Sequence, residues 1–186
     1  MGAGALGNEV IKNLTLLGIG RLFIVDRDTV EMANLSRSIL FRESDEGDKK
    51  VDVAVERVKE INPSVHPMGI HGDVTADVGL GVFRRMDVVV GCLDSREARL
   101  AVNNACWQVG VPWVDGAIQD LFGEARLFSP GEGACYACTL TDLDWQILRE
   151  ARPCKGLAIG NILEGRVPTT PTISSIIAGI QSQEVL

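Results

Sequence analysis

Apolar positions along the chain keep two rhythms that alternate. Residues 8–17 carry Val10, Ile11, Leu14 and Leu17 at the three-to-four spacing of one helix face, and Gly18 and Gly20 end it. Residues 22–25 form a short continuous apolar run, closed by Asp26, Arg27 and Asp28, which predicts a strand. Residues 29–47 are polar and irregular apart from Ile39, Leu40 and Phe41. A second helix is predicted over 50–61, with Val51, Ala54, Val55, Val58 and Ile61 on one face, and Asn62-Pro63 stops it. A weaker strand follows at 65–71. A short helix is expected at 78–85, although Gly79 and Gly81 oppose it.

The pattern then gives a buried strand at 87–92, a third helix at 95–109, and strands at 111–117 and 124–128. It breaks down over residues 131–168, which read as a long irregular crossover region of the functional-loop kind. Thr170 and Pro171 start a last helix as cap and first residue, and Ile173, Ile176, Ile177 and Ile180 form its expected buried stripe. Strands alternating with helices imply a mostly parallel sheet covered on both faces. The expected fold class is therefore α/β, a Rossmann-like three-layer αβα arrangement, in one domain spanning residues 1–186.

Gly2, Gly4 and Gly7 stand at the head of the first predicted helix. Glycines there allow a tight turn and a close backbone approach to phosphate, while the helix N-terminus directs amides to the same place. Such a turn normally leaves a strand. Here no strand precedes it, and the chain stops inside a helical pattern at Leu186, so the domain is expected to be incomplete at both ends. Asp26 follows Gly7 by nineteen residues at the end of a predicted strand, where a carboxylate accepts hydrogen bonds from a ribose. Glycine turn and aspartate alone fit NAD, FAD or ATP equally.

Asn34, Arg37 and Lys50 on or beside the irregular loop narrow the choice. A dinucleotide dehydrogenase does not need them there, whereas transfer at the α-phosphate of ATP needs positive groups to offset developing charge. Asp94 lies just past the strand at 87–92, at the ligand-facing end of a parallel sheet. It could hold Mg²⁺, which takes one or two carboxylates together with phosphate oxygens. Asp94-Ser95-Arg96-Glu97 equally fits a helix cap.

The composition removes several classes. Among 186 residues, 46% are apolar and 23% charged, the balance of an ordinary globular domain. A formal charge of −7 disfavours nucleic acid as a partner. No apolar run nears the ~18 residues of a membrane span, and no basic segment followed by an apolar one marks a signal peptide. Five cysteines, an odd number without a secretory signal, point to reduced thiols in the cytoplasm. Cys92 and Cys106 read as small buried hydrophobes. His66 and His71 read as surface or structural residues rather than a metal pair.

The ordered set of motifs has a familiar form. Gly-Ala-Gly-Ala-Leu-Gly at 2–7, Val-Asp-Arg-Asp-Thr-Val-Glu at 25–31, Asn-Leu-Ser-Arg at 34–37 and Gly-Asp-Lys-Lys at 47–50 are followed by Ile61-Asn62-Pro63, Cys92-Leu93-Asp94 and Cys135-Tyr136-Ala137-Cys138. Together they resemble the ThiF/MoeB/HesA superfamily, which includes the ubiquitin-activating enzymes. The resemblance covers nearly the whole chain. It implies that the C-terminal carboxylate of a ubiquitin-like or sulfur-carrier protein attacks the α-phosphate of ATP, giving an acyl-adenylate and pyrophosphate.

Carried onto this sequence, the resemblance implies nucleotide contacts from Gly2, Gly4, Gly7, Asp26 and Asp28. It gives phosphate contacts to Asn34, Arg37 and Lys50, and Mg²⁺ to Asp94, with Arg37, Lys50 and Asp94 acting in catalysis. It also implies a homodimer. Ser38 stands where the superfamily often has Gln, and Ala5 where it often has Gly. An arginine-bearing N-terminal segment found in some members has no counterpart.

Cys135 and Cys138 form a CxxC, which has the look of half a Cys₄ zinc site. In the resembling family a second CxxC lies nearer the C-terminus, so zinc is expected in a longer chain, with a redox pair as the alternative. Cys154, between Pro153 and Lys155 and two residues from Arg152, is either an ordinary thiol or the acceptor of the activated carrier as a thioester, as in some family members. Two other functions stay open beside the adenylating enzyme. One is a non-catalytic scaffold subunit of the same fold; the other is an NAD-dependent oxidoreductase.

Overall fold

Successive residues of the strands face different helices, and this divides the molecule into layers. The computed structural model describes residues 1–119, 121–150 and 170–186. In chain order these hold α1 (Ala5–Leu16), β1 (Arg21–Asp26), α2 (Lys50–Ile61), β2 (His66–His71), α3 (Leu80–Phe83) and β3 (Val89–Gly91). They continue with α4 (Arg96–Val109), β4 (Trp113–Gln119), β5 (Phe122–Phe128), α5 (Tyr136–Thr139), α6 (Asp142–Glu150) and α7 (Pro171–Glu184). Two 3₁₀ turns, Met32–Asn34 and Glu43–Asp45, shape the loop after β1.

On β1, Leu22 and Ile24 pack with Ile11 of α1 and Val51 and Val58 of α2, while Phe23 and Val25 pack with Phe83 of α3 and Val102 and Cys106 of α4. The period of two along the strand thus sends alternate side chains to opposite helix layers. α7 lies on the α1 side, where Ile177 and Ala178 meet Leu6, Val10 and Leu14. The fold is the expected Rossmann-like αβα arrangement.

β1 runs parallel to β2, pairing Arg21 with His66 and Asp26 with His71. β3 runs parallel to β4, and β5 returns antiparallel to β4. Between β1 and β3 lie Met1 and Gly2. The Gly2 amide donates to Val25 O at 2.8 Å and the Met1 nitrogen to Val90 O at 2.9 Å, while Met1 O accepts from the Cys92 amide at 2.9 Å. The head of the glycine turn is therefore bonded both to the two-stranded β1–β2 sheet and, through Val90 and Cys92, to the three-stranded β3–β4–β5 sheet. Trp113 of β4 anchors the α4 side, stacked on Phe128 at 5.2 Å between ring centroids and edge-on to Tyr136 at 6.1 Å.

Several expectations change. Residues 142–150 form a helix where an irregular stretch was read, because Thr141 accepts at its hydroxyl from the Asp144 amide and returns its own amide to the Asp144 carboxylate. Of the expected α7 stripe only Ile177 is buried; Ile176 and Ile180 are exposed, since α7 leans on both α1 and the β4–β5 pair through a narrower face. Thr170 caps α7 and Pro171 is its first residue, as the sequence predicts. Cys106 is buried, whereas Cys92 is only half-buried. His66 and His71 are exposed at opposite ends of β2. Among the described residues no helix is long and apolar enough to cross a membrane.

Candidate nucleotide site

Residues 2–7 turn sharply from the sheet into α1, and sterics fix which of them must be glycine. Gly2 has φ +89°, and a Cβ there would sit 2.4 Å from the Cys92 carbonyl oxygen. A Cβ on Gly7 would sit 2.1 Å from the Gly2 oxygen. The turn is thus folded onto itself and pressed against the residue that leads to Asp94. Gly4, the residue before α1, faces open space. That opening, at the amide-rich end of a twelve-residue helix, is a place where phosphate could approach.

Asp26 closes the other side. Its carboxylate accepts from the Ala3 amide at 2.6 Å and from the Asp28 amide at 2.8 Å. It therefore holds the turn to the end of β1, and each oxygen keeps a further lone pair for a ribose hydroxyl. Asn8, fully buried, extends the same frame. Its Nδ2 donates to Ala3 O at 2.7 Å and Gly4 O at 3.0 Å, and its Oδ1 accepts from the Leu40 amide at 2.9 Å. The glycine turn is stitched in this way to the loop that carries Arg37.

The cations of that loop are ordered by local bonds. Lys50 is buried at the start of α2, and its Nζ donates to Asp28 at 2.8 Å, with two further N–H groups to give. Arg37 donates from Nη1 to Ala33 O at 3.0 Å. Asn34 Oδ1 accepts from the Glu31 amide at 3.1 Å, capping the 3₁₀ turn. Among the described residues no hydrogen bond joins Asn34 or Arg37 to the glycine turn itself.

Asp94 is exposed at the end of β3, and its side chain has no hydrogen bond among the described residues. The helix cap that competed for it is Ser95, whose hydroxyl accepts from the Ala98 amide. An exposed carboxylate with no other partner among the described residues is the kind of ligand Mg²⁺ takes, with water and phosphate oxygens as the rest. Burial of the sulfur pushes the Cys92 thiol, next to the turn, up to about 12 although the residue as a whole is half-buried, and burial does the same to Cys106.

Cys135 and Cys138 place their sulfurs 3.6 Å apart. A tetrahedral site with Zn–S bonds of about 2.3 Å has edges of roughly 3.8 Å, so the pair fits one edge. Burial opposes ionisation of Cys135, but hydrogen bonds from the Cys138 amide and thiol and from Asn103 outweigh it and hold its pKa below the ordinary thiol value. Among the described residues no third metal-type ligand joins them. Cys154 lies outside the described residues.

A three-layer αβα chain whose glycine turn opens α1, with an aspartate at the end of the next strand, has the Rossmann-like arrangement. The ThiF family model matches residues 1–186, and the chain belongs to that family. It is 35% identical over 139 residues to SUMO-activating enzyme subunit 2 of Dictyostelium discoideum, covering 74% of this chain and 21% of that protein. It is 31% identical over 206 aligned residues to ubiquitin-like modifier-activating enzyme 5 of Oryza sativa subsp. japonica, covering all of this chain and 46% of the relative. The chain thus spans less than half the length of these two curated relatives. Among solved structures it is similar to E. coli MccB, with a TM-score of 0.78 and 24% identity over 99% of this chain and 53% of that one. A structure of MccB with ATP matches at a TM-score of 0.76 and 21% identity, over all of this chain and 53% of that one.

Three structural residues escaped the sequence reading: Asn8, Arg99 and Asp115. Asn8 is a polar residue on the buried side of α1, a signal that could have exposed it. Nothing in the sequence pairs Arg99 with Asp115.

Proposed function

We propose that this chain is the nucleotide-binding core of an ATP-dependent adenylyltransferase that activates the C-terminal carboxylate of a ubiquitin-like or sulfur-carrier protein. The observation that carries the reading is the contact of the glycine turn with Cys92. It joins the turn that opens α1 to the residue two before Asp94, an exposed carboxylate with no side-chain hydrogen bond among the described residues. A nicotinamide dinucleotide has no use for a metal-type carboxylate there, whereas a triphosphate does. Kinship with activating enzymes supports the same class.

In this reading Asp26 accepts from the ribose and the glycine turn holds the phosphates. Arg37 and Lys50 are the cations that offset charge on the α-phosphorus and the departing pyrophosphate, with Asn34 and Asp28 ordering that edge. Asp94 would hold Mg²⁺, which when bound neutralises phosphate charge. A carboxylate oxygen of the carrier forms its bond to the α-phosphorus as the bond to the pyrophosphate oxygen breaks. That oxygen is already a nucleophile, so positioning and charge stabilisation suffice without a general base.

The homodimer, the zinc held by Cys135 and Cys138 in a longer chain, and a thioester at Cys154 extend the proposal. For the last, a reducible adduct with the carrier that disappears in Cys154→Ala is expected. The test of the core reading is ATP–pyrophosphate exchange by the full-length protein with its small carrier. Exchange that requires the carrier's terminal carboxylate is expected; ATP binding without any exchange would favour the non-catalytic scaffold.

A further inference from the structure

Side chains on a helix tilt toward its N-terminus, so a residue one turn inside reaches back over the loop that leads in. Arg99 does this on α4. Its Nη2 donates to the Leu93 carbonyl at 2.5 Å and lies 3.4 Å from the Gly116 carbonyl. Its Nε pairs with the Asp115 carboxylate, 3.3 Å from Oδ1 and 3.2 Å from Oδ2. The two side chains are 14% and 4% exposed. Asp115 sits on β4 directly across from Gly91 of β3, where a Cβ would lie 2.9 Å from its Oδ1. The carboxylate therefore occupies space that exists only because residue 91 has no side chain.

Burying two charges is costly, and a pair of apolar side chains would hold a core as well or better. What an apolar pair cannot do is grip a carbonyl. The carbonyl gripped is that of Leu93, in the peptide bond that leads directly into Asp94. Ser95, the next residue, is tied down as the cap of α4, and Arg96 is occupied by Asp144 at 2.7 Å. Asp94 lies between two fixed points with no side-chain hydrogen bond of its own among the described residues. The backbone position from which it projects is set by these neighbours.

We propose that Arg99, braced by Asp115, is a positioning residue that fixes the Leu93–Asp94 peptide and so presents the Asp94 carboxylate to the metal–phosphate end of the nucleotide. This rests on the adenylating reading above. Partners that orient a metal-binding carboxylate typically change metal affinity by about 10–100-fold when removed.

The test is calorimetry of the non-hydrolysable analogue AMPCPP binding to the full-length protein, with and without Mg²⁺, alongside urea unfolding. Arg99→Lys keeps a cation beside Asp115, but a single ammonium cannot reproduce the planar fork that spans Asp115 and the Leu93 carbonyl. Its Mg²⁺-dependent gain in affinity is expected to fall by about tenfold or more, while the affinity without Mg²⁺ stays within about twofold and urea unfolding stays cooperative. Asp115→Asn, close in shape, is expected to show the same selective loss, and it carries the test if Arg99→Lys does not fold. A wild-type Mg²⁺ gain in a folded variant, or an equal loss with and without Mg²⁺, overturns the proposal and leaves the adenylating reading standing. Wild-type protein with no Mg²⁺-dependent affinity for AMPCPP overturns both.

Discussion

Asn8→Ala removes the clasp between the glycine turn and the Arg37 loop, and its cost can be worked from three hydrogen bonds. Gly4 O keeps a second donor, the Asn8 amide at 2.8 Å, so it stays satisfied after truncation. Leu40 N–H and Ala3 O have no other partner among the described residues. Each lies at a fully buried side chain, and an orphaned buried donor or acceptor costs about 1–3 kcal/mol, so the pair costs about 2–6 kcal/mol. Against a typical total of about 5–15 kcal/mol this is a large fraction. Urea unfolding at neutral pH reads it directly. Asn8→Asp sharpens the test. It keeps the acceptor for Leu40 but turns a carboxylate oxygen toward the Ala3 and Gly4 carbonyls, so the folded state favours its protonated form. The raised folded pKa means that the stability of this variant falls as pH rises from about 4. A loss below about 0.5 kcal/mol in Asn8→Ala, within the range of ordinary surface changes, refutes the clasp.

Gly7→Ala drives a methyl to within 2.1 Å of the Gly2 oxygen. The turn must shift by about 1 Å, and ATP–pyrophosphate exchange is expected to drop by about 10²-fold; an unchanged rate contradicts the turn's role. Lys50→Ala frees Asp28 and removes a buried cation. Exchange is expected to fall by about 10²–10³-fold, and a loss under about threefold would remove Lys50 from the reaction. Burial raises Asp115 to about 6, with Arg99 opposing it. Between about pH 4 and 6 the folded chain keeps a proton that the unfolded chain has released, so stability declines as pH rises through that window, by about 3 kcal/mol. Urea midpoints should lose that decline in Asp115→Asn, and a slope that survives assigns it elsewhere. The longer chain is expected to bind one zinc, lost in Cys135→Ser and Cys138→Ser; metal analysis that finds none in the wild type removes the zinc site.

Where local chemistry decides, the sequence was readable. α2 spans the predicted residues because Val51, Ala54 and Val58 bury a stripe and Asn62-Pro63 blocks extension, although Ile61 of the expected face is exposed. The Thr170–Pro171 start of α7 is a cap and first-turn pair that works without distant partners. The glycine turn was legible as a turn, but its lock against Cys92 was not, because that contact joins residues ninety apart in sequence. α6 could have been found from Thr141 and Asp144, a reciprocal cap three residues apart, which the irregular stretch around it obscured. Asp94 fits two roles in the sequence, and the structure gives the cap to Ser95. Arg99 and Asp115 were invisible for a different reason. An arginine in a helix and an aspartate in an apolar strand look like a solvated face and a strand end until the absence of a side chain at Gly91 brings them together. Ile176 and Ile180 misled because periodicity reports which face is apolar, not how wide a face the neighbours cover.

Equilibrium titration of the full-length protein with ATP and with NAD, each with and without Mg²⁺, tests the central claim most directly. Magnesium-strengthened binding of ATP, weakened by Asp94→Ala and Asp26→Ala, with little affinity for NAD, is the predicted result. Tight binding of NAD together with no magnesium-dependent affinity for ATP would contradict it.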